Sequence, residues 1–66
     1  MNTRMLKSKM VLFDDTNVTM AEALGITPPA YSLKLNGEND FKQEEIKIIK
    51  ERYSLTPEEV DAIFLS

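Results

Sequence analysis

The chain has 66 residues, 42% hydrophobic and 29% charged, with a formal charge of −3 and a pI near 4.8. That length holds one domain burying about 60% of its unfolded surface, for a stability of a few kcal/mol. With no cysteine and no histidine, disulfides, Cys/His zinc sites, thiol nucleophiles and Ser-His or Cys-His catalytic pairs are excluded, while the negative charge on its face opposes nucleic-acid binding.

The apolar periodicity is helical throughout. Leu6, Met10 and Phe13 fall at i, i+4 and i+7 and predict a first helix over residues 3–13, closed by Asp14-Asp15. The apolar run Met10–Phe13 behind the basic Arg4, Lys7 and Lys9 has four residues. A signal peptide needs about 7–15 apolar residues and a membrane span about 20, so a cytoplasmic protein is expected. Without a secretory signal the glycosylation pattern Asn17-Val18-Thr19 carries no meaning.

Thr16 is a good N-cap for a short second helix with Met20, Ala21 and Leu24 inward. Gly25 stops it where a left-handed residue is needed, Ile26 lies in the turn, and Thr27 can cap a third helix. Pro28 and Pro29 open that helix, where the first N–H groups have no intrahelical partner. Its inner face is Tyr31 and Leu35, and Asn36-Gly37 ends it, since no alternating strand pattern flanks the pair.

A fourth helix is predicted from about residue 41 to 53, with Ile46, Ile49 and Tyr53 inward and Asp40 with Gln43 as its capping box. Thr56-Pro57-Glu58-Glu59 then combines an N-cap Thr, a Pro at the first helical position and a Glu three residues on. The last helix, 57–65, presents Val60, Ile63 and Phe64. Five helices with short turns and no strand predict a compact all-α domain spanning residues 1–66.

Residues 16–37 have the layout of a helix-turn-helix, two helices crossing steeply around a small residue and a glycine. Any small bundle contains such a corner, so by itself the layout leaves a plain structural turn open. The string Thr16-Asn17-Val18-Thr19-Met20-Ala21-Glu22-Ala23-Leu24-Gly25-Ile26-Thr27 resembles the second helix and turn of the Cro and lambda-repressor-like family. That family has T-Q-x-x-L-A-x-x-L-G-I-S here; Asn17 replaces the Gln and Met20 the Leu. The continuation Tyr31-Ser32-Leu33-Lys34-Leu35-Asn36-Gly37, with Phe41 and Glu45-Ile46, and the ending Leu55–Phe64 are similar to small Cro-like proteins of Gram-positive phages and prophages. The likeness covers about residues 5–65.

This resemblance implies a five-helix lambda-repressor-like domain that binds double-stranded operator DNA, with the third helix in the major groove and a homodimer on a two-fold site. It places Asn17 at the start of the second helix, touching phosphate or base. Thr27, Pro28, Pro29, Ser32, Leu33 and Asn36 take the groove-facing places, and Lys34 a flanking place suited to phosphate. The third helix departs from a strong base reader: before Asn36 it lacks the Arg, Gln or Asn that makes bidentate base contacts. Ser32 remains for a hydrogen bond and Leu33 for a thymine methyl.

Charge divides by position. Residues 1–15 carry three basic and two acidic groups, residues 16–37 one of each, and residues 38–66 four basic and eight acidic. The expected DNA face is therefore nearly neutral, with Lys7, Lys34 and Lys42 as phosphate contacts, the alternative for each being a solvated surface charge, an alternative that fits Lys42 better than Lys34. Three contacts per subunit would give a log–log salt slope of about −3.

Other chemistry fails. Asp14-Asp15-Thr16-Asn17 lacks the glycine and the terminal glutamate of a calcium loop. Glu44-Glu45 and Glu58-Glu59 sit where acids favour the helix dipole. No metal, cofactor or enzymatic activity is expected. The first expectation is a small phage-type regulator binding operator DNA as a weak dimer, with Leu12, Leu65 and the last helix as candidate interface. The rival is a protein-interaction module on the same fold, an antirepressor or modulator that engages a phage repressor. It is motivated by the acidic C-terminal half, the Pro-Pro start and the outward Leu33.

Overall fold

The computed structural model describes residues 1–65. Among these the chain forms five helices and no strand: α1 (Thr3–Leu12), α2 (Asn17–Leu24), α3 (Pro28–Leu35), α4 (Gln43–Tyr53) and α5 (Pro57–Phe64). None is long and apolar enough to cross a membrane.

Most helix starts are decided locally. Thr16, Thr27 and Thr56 all sit in extended backbone and accept the N–H three residues on, from Thr19, Ala30 and Glu59. Asn2 does the same for Met5 at 3.1 Å. The start of α4 corrects the sequence expectation of an Asp40/Gln43 box. Lys42 is the N-cap, and the Glu45 carboxylate accepts its N–H at 2.8 Å. Asp40 instead offers its backbone carbonyl to Lys34 Nζ at 3.3 Å.

The ends of the first four helices share one device. Asp14, Gly25, Gly37 and Ser54 take the left-handed conformation, at φ 57°, 69°, 83° and 50°. Each lets its own N–H and that of the next residue turn back onto the last carbonyls; after α2, Gly25 N–H meets Glu22 O and Ile26 N–H meets Ala21 O. Two of the four positions are glycine and Asp14 was read as closing the first helix, so of the four stops only Ser54 gave no signal in the sequence.

Leu6 and Met10 of α1, Met20, Ala21 and Leu24 of α2, Tyr31 and Leu35 of α3, Ile49 and Tyr53 of α4, Leu55 and Ile63 form one buried cluster. Burying each large side chain contributes about 1.5–3 kcal/mol. Ile46, Val60 and Phe64, all expected inward, are half-buried. Phe13 departs further: the helix stops one residue before it, and it lies 47% exposed with its ring 4.9 Å from that of Tyr53. A second aromatic row, Tyr31–Phe41–Phe64, with ring spacings of 6.0 and 5.6 Å, joins α3 to α5 through the segment before α4.

The N-terminus is tied at two points. Asn2 N–H donates to Ile63 O at 2.6 Å, and Thr3 Oγ1 donates to Leu35 O at 2.7 Å. Further along α1, Lys9 pairs with Glu59 of α5 at 2.6 Å. One side of α1 therefore lies against α5 and the other against the C-terminal end of α3.

Candidate functional site

The α2–α3 corner is built from short-range chemistry. Ala21 is 1% exposed where the two helices meet, and Gly25 turns the chain in a left-handed conformation. Ile26 packs against the core from within the turn, and Thr27 starts α3 by accepting the Ala30 N–H at 3.3 Å. A prolyl pair fits directly after that cap, because neither missing N–H has a partner inside the helix.

Burying Tyr31 and Leu35 turns a definite stripe of α3 outward. Pro29, Ser32, Leu33 and Asn36 recur at three- and four-residue spacing along one side. Pro29, Leu33 and Asn36 are exposed and Ser32 is half-buried; Thr27 and Pro28, also exposed, extend the stripe toward the turn. Asn17 is half-buried at the first position of α2. Leu33 is 41% exposed. No side chain of this stripe carries a charge.

Lys34, the one cation of α3, is engaged in an ion pair within the fold. Its ammonium lies 2.6 Å from Glu45 Oε1, and the two side chains are only 12% and 8% exposed. Burial pushes the Glu45 carboxyl up, but the hydrogen bonds from Lys34 and from the Lys42 N–H outweigh it and hold it below the usual range. The Lys34 charge is therefore spent inside the fold, tying α3 to the start of α4. A phosphate contact by Lys34 would have to compete with this pair.

Lys7 and Lys42 are exposed. Lys7 lies one turn beyond Thr3, on the shoulder of α1 that meets the end of α3, and Lys42 stands at the start of α4 beside the Lys34–Glu45 pair. Arg4, absent from the sequence-derived set, is exposed beside Lys7 and lines a shallow depression with Thr3, Lys7, Ser8 and Val11. Of the interface candidates, Leu12 is 72% and Leu65 77% exposed.

A second ionic clasp fixes α2 from the other end. Asp15 Oδ1 accepts from Arg52 Nη2 at 2.6 Å and Thr19 Oγ1 at 2.8 Å. Its Oδ2 accepts from Arg52 Nε at 2.9 Å and the Tyr53 hydroxyl at 2.7 Å. The Arg52 fork holds this carboxyl far below the ordinary range against the opposing effect of burial, helped by Tyr53 and Thr19. The sequence marked Asp15 only as a helix-ending residue, and Arg52 not at all. They lie 37 positions apart, and no local pattern links them.

No protein-family model matches the chain, and no curated protein or solved structure is significantly similar to it.

Proposed function

We propose that this chain is a small phage-type transcriptional regulator, a single helix-turn-helix domain that binds operator DNA as a weak dimer. The motif is residues 16–37, with α3 as the helix that enters the major groove. The observation that carries this reading is the α2–α3 corner. A buried alanine, a left-handed glycine and a threonine cap together present the stripe Pro29, Ser32, Leu33 and Asn36 on an exposed helix. The ordered likeness to small Cro-like proteins along most of the sequence supports it. Lys7 and Lys42, with Arg4, supply the phosphate grip in place of Lys34, and the acidity of the chain lies mostly in residues 38–66. Leu12 and Leu65 are the apolar side chains for a partner subunit.

The test is an anisotropy titration against the duplex flanking the chain's own gene. Tighter binding than to a scrambled duplex at about 150 mM salt is expected, with Lys7→Ala and Lys42→Ala each reducing the log–log salt slope by about 1. Equal affinity for both duplexes ends the proposal.

One observation favours a second reading, a protein-interaction module that engages a repressor. The exposed stripe of α3 is uncharged and centred on a leucine, which suits a protein surface as well as a groove. Leu33→Lys separates the two: it abolishes a protein complex and leaves or raises non-specific DNA affinity.

A further inference from the structure

Resting on the DNA reading above, we infer that the operator half-site is recognised through thymine methyls and adenine edges, with Leu33 and Asn36 as its specificity-determining residues. The premise is the chemistry that α3 turns outward once its core is packed. Guanine is read in the major groove chiefly by Arg or Lys donating to O6 and N7. Here α3 has one such side chain, Lys34, and it is held 2.6 Å from Glu45 with 12% of its surface exposed. The outward stripe consists of Pro29, Ser32, Leu33 and Asn36. It offers an aliphatic side chain 41% exposed, a carboxamide, a hydroxyl and a prolyl ring.

Each group has a preferred base. An aliphatic side chain in the major groove gains from the C5-methyl of thymine and gains nothing from the cytosine edge, while a carboxamide pairs with N6 and N7 of adenine. Serine accepts either kind of base and adds no preference. Asn36 is the C-cap of α3 and keeps right-handed helical backbone angles (φ −81°, ψ −1°), so it continues the face of Leu33 three residues earlier and their side chains begin about 5–6 Å apart. Stacked base pairs repeat every 3.4 Å or so along each strand. The two side chains thus address neighbouring or next-neighbouring base pairs, and a short A·T block is the sequence that satisfies both.

The experiment selects duplexes from a randomised pool with the intact chain, then alters the selected site one base at a time. The expected site contains an A·T block of about three base pairs in each half. Replacing its thymines by uracil, which removes only the methyl, weakens binding about fourfold at one position per half-site, the worth of one buried methyl group. Placing 5-methylcytosine for cytosine in a G·C-substituted block restores part of the lost affinity. Leu33→Ala weakens binding to the selected site and becomes indifferent to uracil; Asn36→Ala loses the preference for adenine at its neighbour. Because Leu33 and Asn36 are exposed, both variants keep the fold, and the base-analogue arm needs no variant at all.

The two levels of the proposal fail differently. A selected site rich in G·C, or indifference of the intact chain to uracil, overturns methyl and adenine reading and leaves DNA binding standing. A uracil effect that persists in Leu33→Ala overturns the assignment to Leu33. A pool that shows no enrichment overturns sequence-specific DNA binding itself, and this inference with it.

Discussion

Lys34 and Glu45, eleven positions apart, form a salt bridge of 2.6 Å that is nearly closed to solvent. Glu45 also caps α4 through the Lys42 N–H, so one carboxylate ends the α3–α4 connection and holds the side chain that α3 would otherwise offer to a partner. The outward surface of α3 is uncharged as a consequence. The pair links the stability of the fold to the chemistry of its exposed face.

Lys34→Ala leaves Glu45 buried without its counter-ion and should lower stability by about 2–3 kcal/mol, given that the Lys42 N–H remains. Joint replacement of Lys34 and Glu45 by methionine recovers part of that loss, because two desolvated charges are removed together, less about 1 kcal/mol for the lost cap on the Lys42 N–H. Urea unfolding checks both. In DNA titrations Lys34→Ala leaves the salt slope unchanged, whereas a fall of about 1 would return Lys34 to the phosphate backbone.

Asp15 makes stability depend on acidity. Its carboxyl titrates well below the ordinary value of 3.8 when folded. The folded form therefore binds protons more weakly than the unfolded one, and the contribution is complete above about pH 5 and falls as the pH drops. By pH 3 the unfolded chain has taken up most of its proton while the folded one has not, a loss of about 1 kcal/mol. Asp15→Asn removes this dependence, so the gap between the two proteins should narrow by that amount from pH 7 to pH 3. A constant gap in chemical denaturation would show that the Arg52 clasp does not set the acid response.

Two substitutions at left-handed turns should act in opposite directions. Gly25 has φ +69° and nothing within 4 Å of an added Cβ, so Gly25→Ala meets no clash. It should still destabilise by about 1–2 kcal/mol, the conformational penalty of an L side chain there. Ser54 already bears that penalty at φ 50°, and Ser54→Gly should raise stability by about 0.5–1 kcal/mol, reduced by the greater freedom of glycine when unfolded. Thermal melts of the two variants should shift on either side of the parent.

The two buried tyrosines should respond unequally to loss of the hydroxyl. Tyr53 OH donates to Asp15 Oδ2 at 2.7 Å, a bond to a charged acceptor that contributes about 1.5–3 kcal/mol. Tyr31 OH is 3.2 Å from Met10 Sδ, and a thioether is a weak acceptor. Tyr53→Phe is expected to cost about 2 kcal/mol and Tyr31→Phe less than about 1. Equal losses in denaturant titrations would show that the carboxylate adds nothing to the Tyr53 bond.

The helices themselves were legible in the sequence because their signals are local. Thr16, Thr27 and Thr56 each reach an N–H three residues away, and Pro57 and Gly25 restrict or free a single φ; none needs the rest of the chain to act. The inner faces followed from period alone for Leu6, Met10, Tyr31, Leu35, Ile49 and Ile63. Phe13 shows where that reasoning stops, since the helix ends before it and a ring contact with Tyr53, forty positions on in the sequence, takes the place of burial.

The sequence by itself thus determined five helices, the threonine caps of α2, α3 and α5, and the residues that could face outward from α3. Only the tertiary structure decided which charges remain available there. Lys34 reads as a surface cation until α4 brings Glu45 beside it, and Asp15 reads as a helix-ending residue until Arg52 and Tyr53 arrive. Ion pairing depends on distances of a few ångströms between distant parts of the chain, and on the burial that strengthens them. Neither quantity exists before the helices pack.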